Sequence, residues 1–313
     1  MEMNIRMSLL VLLFPLMSYG QLADSLYEFQ SFRLTYENDI FTASDRYYSQ
    51  GIFLQYEHHN MKLNWLEKFF IRVPDIERNF QTGVSQRAYT PSTILSDTLL
   101  VGDRPYAGTI TYGAQFFSRS RSRNYTLNWG VNAGFIGKPA FGEYTQTTVH
   151  KWIDNAIPMG WEHQLNTSFV VDLNFGVSKS FFSRSRWIRL SLTDLVTMGT
   201  LTNDMRLQGY LKLGYIGLRR QFYLYYLPEL RIVAYDGTLQ GAIFAVPSKA
   251  ALPARSIERL VSEQQIGIYL QYSPFFASAH FHYQSRLFKY AWNHMWGGLT
   301  IGYMMWDSYK KKR

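Results

Sequence analysis

Two runs in the middle of the chain restrict its fold more than any other part of the sequence. In the first, Tyr125, Leu127, Trp129, Val131, Ala133 and Phe135 interleave with Thr126, Asn128, Gly130, Asn132 and Gly134. In the second, Leu165, Phe169, Val171, Leu173, Phe175 and Val177 interleave with Asn166, Ser168, Asp172, Asn174 and Ser178. A period of two marks strands with one apolar and one polar face. Each run supplies the roughly 9–11 residues that a tilted strand needs to cross a bilayer. A soluble sandwich would not explain polar faces this uniform opposite apolar faces so rich in aromatic rings.

The same pattern recurs along the chain. Phe32, Leu34 and Tyr36 alternate in a first strand, and Ile52, Leu54 and Tyr56 in a second. A third runs near residues 81–89, and in a fourth Ile110, Tyr112, Ala114 and Phe116 oppose Thr109, Thr111 and Gln115. Beyond the two central runs, strands are expected near 187–195, 205–216, 222–235, 259–272, 276–288 and 294–306. In the eleventh, Ala277, Ala279, Phe281 and Tyr283 oppose Ser278, His280, His282 and Gln284. These two histidines read as polar lumen residues. The count is about twelve, and even, as single-chain bacterial barrels require. The expected fold is therefore all-β: one transmembrane antiparallel β-barrel over residues 21–313, with short helical segments in its loops.

Composition agrees once the alternation is considered. A mean hydropathy of -0.19 suits an ordinary soluble protein, but alternating lipid-facing and lumen-facing residues average to such a value, and 17% of residues are aromatic. There is no cysteine, which excludes a disulfide scaffold and thiolate chemistry. The net charge of +9 comes from scattered residues and turns such as Ser118-Arg119-Ser120-Arg121-Ser122-Arg123, without a nucleic-acid motif. Lipid phosphate or solvent is the expected partner of these charges, and nucleic acid is not.

Residues 1–20 read as a secretory signal peptide. Arg6 precedes an apolar run from Met7 to Met17, and Ser18-Tyr19-Gly20 ends the segment. The run is too short to span a membrane as a helix. In an even-stranded barrel both termini share one side and the longer loops lie on the other. The odd-numbered connections should then face outward, and 137–164 and 236–258 are the longest of the later ones. The connection after His58 is long, against this rule, and has helical character around Trp65-Leu66-Glu67-Lys68-Phe69-Phe70.

Functional candidates crowd the outward rims. Tyr36-Glu37-Asn38-Asp39 ends the first strand, and Asp45-Arg46-Tyr47-Tyr48-Ser49-Gln50-Gly51 opens the second. Simple alternation sets Ser49 on the face opposite Ile52 and Leu54. Turn geometry alone accounts for any one of the polar residues there. In the fifth connection, 143–155 is expected to form a short helix over the barrel mouth, with Gln146 and His150, four apart, on one face.

These elements resemble the outer-membrane lipid A 3'-O-deacylases, the LpxR-type family. The matching residues are Asn38-Asp39, Asp45-Arg46-Tyr47-Tyr48-Ser49-Gln50-Gly51, Asp103-Arg104-Pro105-Tyr106-Ala107-Gly108, Gln146 with His150, and Pro158-Met159-Gly160-Trp161 leading into Gln164-Leu165. The resemblance implies a twelve-stranded monomeric barrel in the outer membrane of a Gram-negative bacterium. It further implies calcium-dependent hydrolysis of the 3'-linked acyloxyacyl ester of lipid A, the anchor of the outer-leaflet lipopolysaccharide. Carried over by motif, His150 is the general base, Asp39 a Ca²⁺ ligand, and Asn38 and Ser49 active-site polar residues. The chemistry is coherent: an imidazole titrating near neutral pH can take a proton from water, and a hard oxygen-bound Ca²⁺ can polarise an ester carbonyl. Asp103 and Arg104 read instead as an internal ion pair and loop anchor. Two other readings remain open, a phospholipase-type barrel with a Ser49–His150 nucleophilic pair and a non-catalytic channel or structural barrel.

Overall fold

Alternation along the chain becomes a wall with two chemically distinct faces. The computed structural model describes residues 28–42, 44–61 and 65–306. The expected signal peptide and the basic residues 310–313 lie outside the described residues. The first six strands are β1 (Phe29–Asn38), β2 (Tyr47–His59), β3 (Ile76–Thr90), β4 (Ala107–Ser120), β5 (Tyr125–Ile136) and β6 (Ser168–Phe181). The next six are β7 (Ile188–Gly199), β8 (Thr202–Ile216), β9 (Arg220–Asp236), β10 (Leu260–Tyr272), β11 (Phe275–Gln284) and β12 (His294–Trp306). Each pairs antiparallel with its neighbours in sequence, and β1 closes the ring on β12. Closure leaves no strand edge unpaired, the condition for a sheet to sit in lipid. Among the described residues, no helix is long and apolar enough to cross a membrane.

The faces separate as the pattern requires. Leu34, Leu54, Tyr112, Phe169, Leu224, Ile266 and Ile301 stand exposed on the outside, each more than two-fifths accessible. Residues of opposite parity point inward and pair with one another. Arg33 meets Glu57 across β1 and β2 at 2.9 Å, and Thr35 meets Thr300 across β1 and β12 at 2.8 Å. A polar cavity of about 600 Å³ remains in the lumen, lined by Arg33, Glu37, Glu57, Lys212 and His280 among others.

One apolar cluster plugs the lumen, and another packs on the outer face of the wall. At the long-loop end, Tyr47, Val233, Leu239, Leu252, Ile257 and Phe288 pack together, joining β2 to β9 across the barrel. Phe288 therefore belongs to this plug, and β11 ends at Gln284 rather than running on to 288. Near the opposite end, Phe70 and the short 3-10 turn Glu67–Phe69 pack on Phe116 and Trp129, which accounts for the long connection after β2. That packing also lets β3 begin at Ile76, earlier than its alternation suggested. Conversely, β6 begins only at Ser168, because Leu165 is buried in a loop cluster with Ile136 and Val170.

Candidate active site

Helix α1 (Gly142–Trp152) does not cover the barrel mouth; it lies against the outer face of the wall. Gln50 shares its strand face with exposed Leu54, and Gln86 shares its face with exposed Val84. Both glutamine side-chain amides donate to Thr145 Oγ1 on the helix. Gln86 Nε2 also donates to the Ala140 carbonyl at 3.3 Å. A loop sequence alone does not distinguish lumen from lipid face, and the expected position over the mouth does not hold.

Close approach depends on two glycines. Gly142, Gln146 and His150 recur every four residues and form the buried stripe of α1. A Cβ on Gly142 would sit 2.6 Å from the Trp161 ring and 3.1 Å from Gly108 Cα. A Cβ on Gly108 would lie 3.2 Å from Ala140 Cβ. Trp161 is almost wholly buried, with its ring 4.9 Å from that of Tyr106 and its Nε1 donating to Gln146 Oε1 at 2.8 Å. Burying an aromatic of this size contributes about 4–6 kcal/mol as an upper bound. Trp161 thus fixes both the depth of the helix and the rotamer of Gln146.

The stripe faces the loop between β1 and β2. Asp45 receives Gln146 Nε2 at 3.5 Å on one oxygen and Asn155 Nδ2 at 3.3 Å on the other, which also faces His150 Nε2 at 3.6 Å. His150 Nδ1 hydrogen-bonds the Ala156 carbonyl, so in the neutral ring Nδ1 carries the proton and Nε2 the lone pair. At 3.6 Å, Nε2 and Asp45 are beyond direct hydrogen-bond distance. Among the described residues, the only side chain in ion-pair range of His150 therefore comes from a different loop, 105 residues earlier in the chain.

Asn38 and Asp39 stand at the other side of the same loop. Asn38 Oδ1 accepts from Ile40 N–H at 2.7 Å while its Nδ2 donates to Tyr36 Oη at 3.0 Å. This turn starts a 3-10 segment, Asp39–Thr42, and buries Asp39, which is 2% exposed. Asp39 Oδ2 accepts Arg46 N–H at 2.8 Å. Burial pushes the Asp39 carboxyl up to about 9; the Arg46 N–H opposes this, and the Asp45 charge adds to it. Burial also raises the Asp45 carboxyl, against the pull of His150. Among the described residues, neither carboxylate forms a salt bridge with lysine or arginine.

Ser49 is displaced from its expected face. The β2–β3 register shifts between Tyr48 and Gln50, making Ser49 the extra residue of a bulge. Its hydroxyl meets Thr90 Oγ1 at 2.8 Å, on the wall face that also carries Ala88, Gln86 and the helix contacts. The bulge, which alternation cannot reveal, turns Ser49 to the outside. Among the described residues, Ser49 hydrogen-bonds Thr90 and not His150.

The structure also adds residues. Asn155 and the backbone carbonyl of Ala156 orient the site from just beyond α1, and no pattern in the sequence marks them. Asp103 anchors its loop by accepting from Ser92 N–H and Oγ, at 2.8 and 2.6 Å. Arg104 turns inward over the Tyr89 ring and donates to Thr238 at 2.8 Å, so both serve as anchors, though not as a pair with each other.

A family model described as outer membrane protein LpxR matches residues 7–305. Among solved structures, LpxR from Salmonella typhimurium aligns with a TM-score of 0.72 at 18% identity, covering 87% of this chain and 99% of that one. The NanC porin aligns at 8% identity with a TM-score of 0.40, covering 89% of this chain and all of the porin. The translocator domain of the autotransporter NalP from Neisseria meningitidis gives 0.41 at 8% identity, over 88% of this chain and 87% of that one. No curated protein sequence matches significantly.

Proposed function

The chain belongs to the LpxR family of outer membrane proteins, and we propose that it is an esterase removing the 3'-O-linked acyloxyacyl group of lipid A, with His150 as general base. The observation that carries this reading is the position of the His150–Asp45 pair. It lies between α1 and the outer wall, at the long-loop end, rather than in the aqueous lumen. Exposed Phe141, Tyr144, Trp152, Ile153, Ile157 and Met159 surround it on the same helix and its flanks. An apolar rim of this kind favours contact with acyl chains. A lipid of the outer leaflet would reach the site sideways, without leaving the membrane.

Within this reading, Nε2 of His150 takes the proton of the attacking water, because Nδ1 is committed to the Ala156 carbonyl. Asp45 then faces the imidazolium and stabilises its charge, while Gln146 and Asn155 hold the carboxylate in place. Asn38 and Ser49 shape the floor and position their neighbours. The Thr90 contact of Ser49 favours water over a serine nucleophile.

A calcium ion fits the residues present. Asp39 and Asp45 share one loop, are partly or fully buried, lack a cationic lysine or arginine partner among the described residues, and offer hard oxygen donors. Those two carboxylates would hold it, and when bound it would supply Lewis-acid polarisation of the ester carbonyl. The direct test incubates the purified barrel with lipid A and with phospholipid, and identifies released acyl groups by mass spectrometry. Release from lipid A at the 3' position supports the proposal. Release from phospholipid alone, or none, overturns it.

A further inference from the structure

On the opposite, lumenal face of the wall, three ligand-type side chains meet across the seam where the barrel closes. Glu37 of β1 and His280 of β11 both pair with Gly298 of β12, so one row of the sheet carries all three. His282 lies two residues further along β11, opposite Trp296. The intervening Phe281 is exposed on the lipid side, which fixes both histidines inward.

His280 Nε2 is 3.3 Å from Glu37 Oε1, and His282 Nε2 is 3.8 Å from the same oxygen. All three donor atoms lie within 4.8 Å of one another. A tetrahedral ion with bonds of about 2.0–2.1 Å separates its ligand atoms by roughly 3.3–3.5 Å. Two of the three separations therefore stand near the required value, and a small rotamer shift closes the third. Room is provided by Gly298, where a Cβ would overlap His280 Nε2 and lie 2.9 Å from Glu37 Cγ.

Surrounding groups orient the donors as the outer partners of a metal site do. Tyr48 Oη donates to Glu37 Oε2 at 2.7 Å, while Oε1 meets His280 Nε2 in a hydrogen bond at 3.3 Å that an ion between the two atoms would replace. Glu263 Oε1 faces His282 Nδ1 at 3.3 Å, and Gln284 Nε2 steadies the other Glu263 oxygen at 3.0 Å. The His282 ring stacks on Trp296, with centroids 4.6 Å apart and planes 6° from parallel. Among the described residues, neither Nδ1 nor Nε2 of His282 makes a hydrogen bond to protein, so Nε2 is free to take an ion.

We propose that Glu37, His280 and His282 form a lumenal binding site for a divalent transition-metal ion, with Zn²⁺ the best-matched. Two imidazoles and one carboxylate suit zinc, cobalt or nickel, whereas Ca²⁺ prefers six to eight oxygens. The fourth position opens towards the lumenal cavity, which Glu37 and His280 line. Bound there, the ion ties β1 to β11 across β12, bracing the seam where the barrel closes. The site is separate from the Asp39–Asp45–His150 region, which lies on the other face of the wall.

The test uses full-length folded barrel in detergent, stripped with chelator and then held in excess Ca²⁺. Zn²⁺ is titrated by calorimetry, and Co²⁺ is added separately as a spectroscopic reporter of geometry. One equivalent of Zn²⁺ and strong tetrahedral-type Co²⁺ bands are expected, unchanged in His150→Ala. Both should be lost in the His280→Ala/His282→Ala double variant. Glu263→Gln, nearly isosteric and expected to fold, should weaken Zn²⁺ roughly 10–100-fold. Absence of Zn²⁺ binding by the wild type overturns the proposal. So does equal binding by the folded Glu263→Gln and double variants, which would place the ion elsewhere.

Discussion

Replacing Gly142 by alanine perturbs the candidate site without altering any group that would react. Gly142 lies two turns before His150 on the same buried stripe. The new Cβ would lie 2.6 Å from Trp161 Cη2, 3.0 Å from its Cζ3 and 3.1 Å from Gly108 Cα. Carbon atoms settle at about 3.5–4.0 Å, so the first turn of α1 or the Trp161 ring must move by roughly 1 Å. The ring cannot retreat freely, being packed on Tyr106 and hydrogen-bonded to Gln146. Overpacking of this kind costs about 1–3 kcal/mol of stability. A displacement near 1 Å of a catalytic constellation costs about 100-fold in rate. Gly142→Ala should therefore still show heat-modifiable migration on a gel, the sign of a closed barrel, while 3'-acyl release falls about 100-fold. Gly108→Ala meets Ala140 Cβ and Gly142 N only at 3.2 Å and should lose far less. The assay is acyl release from lipid A, quantified by mass spectrometry per folded barrel. Wild-type rates in Gly142→Ala, or a larger loss in Gly108→Ala, would refute the role assigned to helix depth.

Other expectations follow from the same geometry. His150→Ala should lose roughly 10²–10⁴-fold in acyl release, and Ser49→Ala clearly less; equal, non-additive losses with a trapped acyl-serine would replace water by Ser49 as nucleophile. EGTA should abolish hydrolysis and added Ca²⁺ restore it, with Asp39→Ala raising the calcium requirement; full activity in chelator would remove the ion from the mechanism. Because burial holds Asp39 protonated up to about 9 in the ion-free fold, calcium must displace a proton, and its apparent affinity should rise about tenfold per pH unit over roughly pH 6–9. For the ion-free fold the sign is opposite: the Asp39 contribution to stability is greatest below the ordinary carboxylate pKa and is lost as pH climbs through about 9. A pH-independent calcium titration would contradict the burial of Asp39.

The barrel was legible because its strands carry a period of two over many residues, and a one-residue slip would turn every apolar side chain from lipid to lumen. Strand ends were less so: loop clusters drew Leu165 and Phe288 out of their strands, and such packing has no local signature. Simple alternation sets Ser49 on the wrong face because one extra residue in β2 resets the pattern. The pairing of Gln146 and His150 on one stripe was visible from their spacing, but the place of α1 was not. That depends on Gln50 and Gln86, polar residues on an otherwise lipid-facing wall, whose purpose emerges only when the helix covers them. Asp45 was visible as a rim acid, yet its contact with His150 joins two distant loops and no spacing encodes it.

The most direct measurement is the mass of lipid A extracted from Gram-negative cells that carry the wild-type barrel, the His150→Ala barrel or neither, with equal amounts of folded barrel in the outer membrane. A species lighter by the 3'-linked acyloxyacyl group is expected with the wild type alone. Lipid A of unchanged mass beside the folded wild-type protein, or the same loss with His150→Ala, would contradict a His150-dependent deacylase.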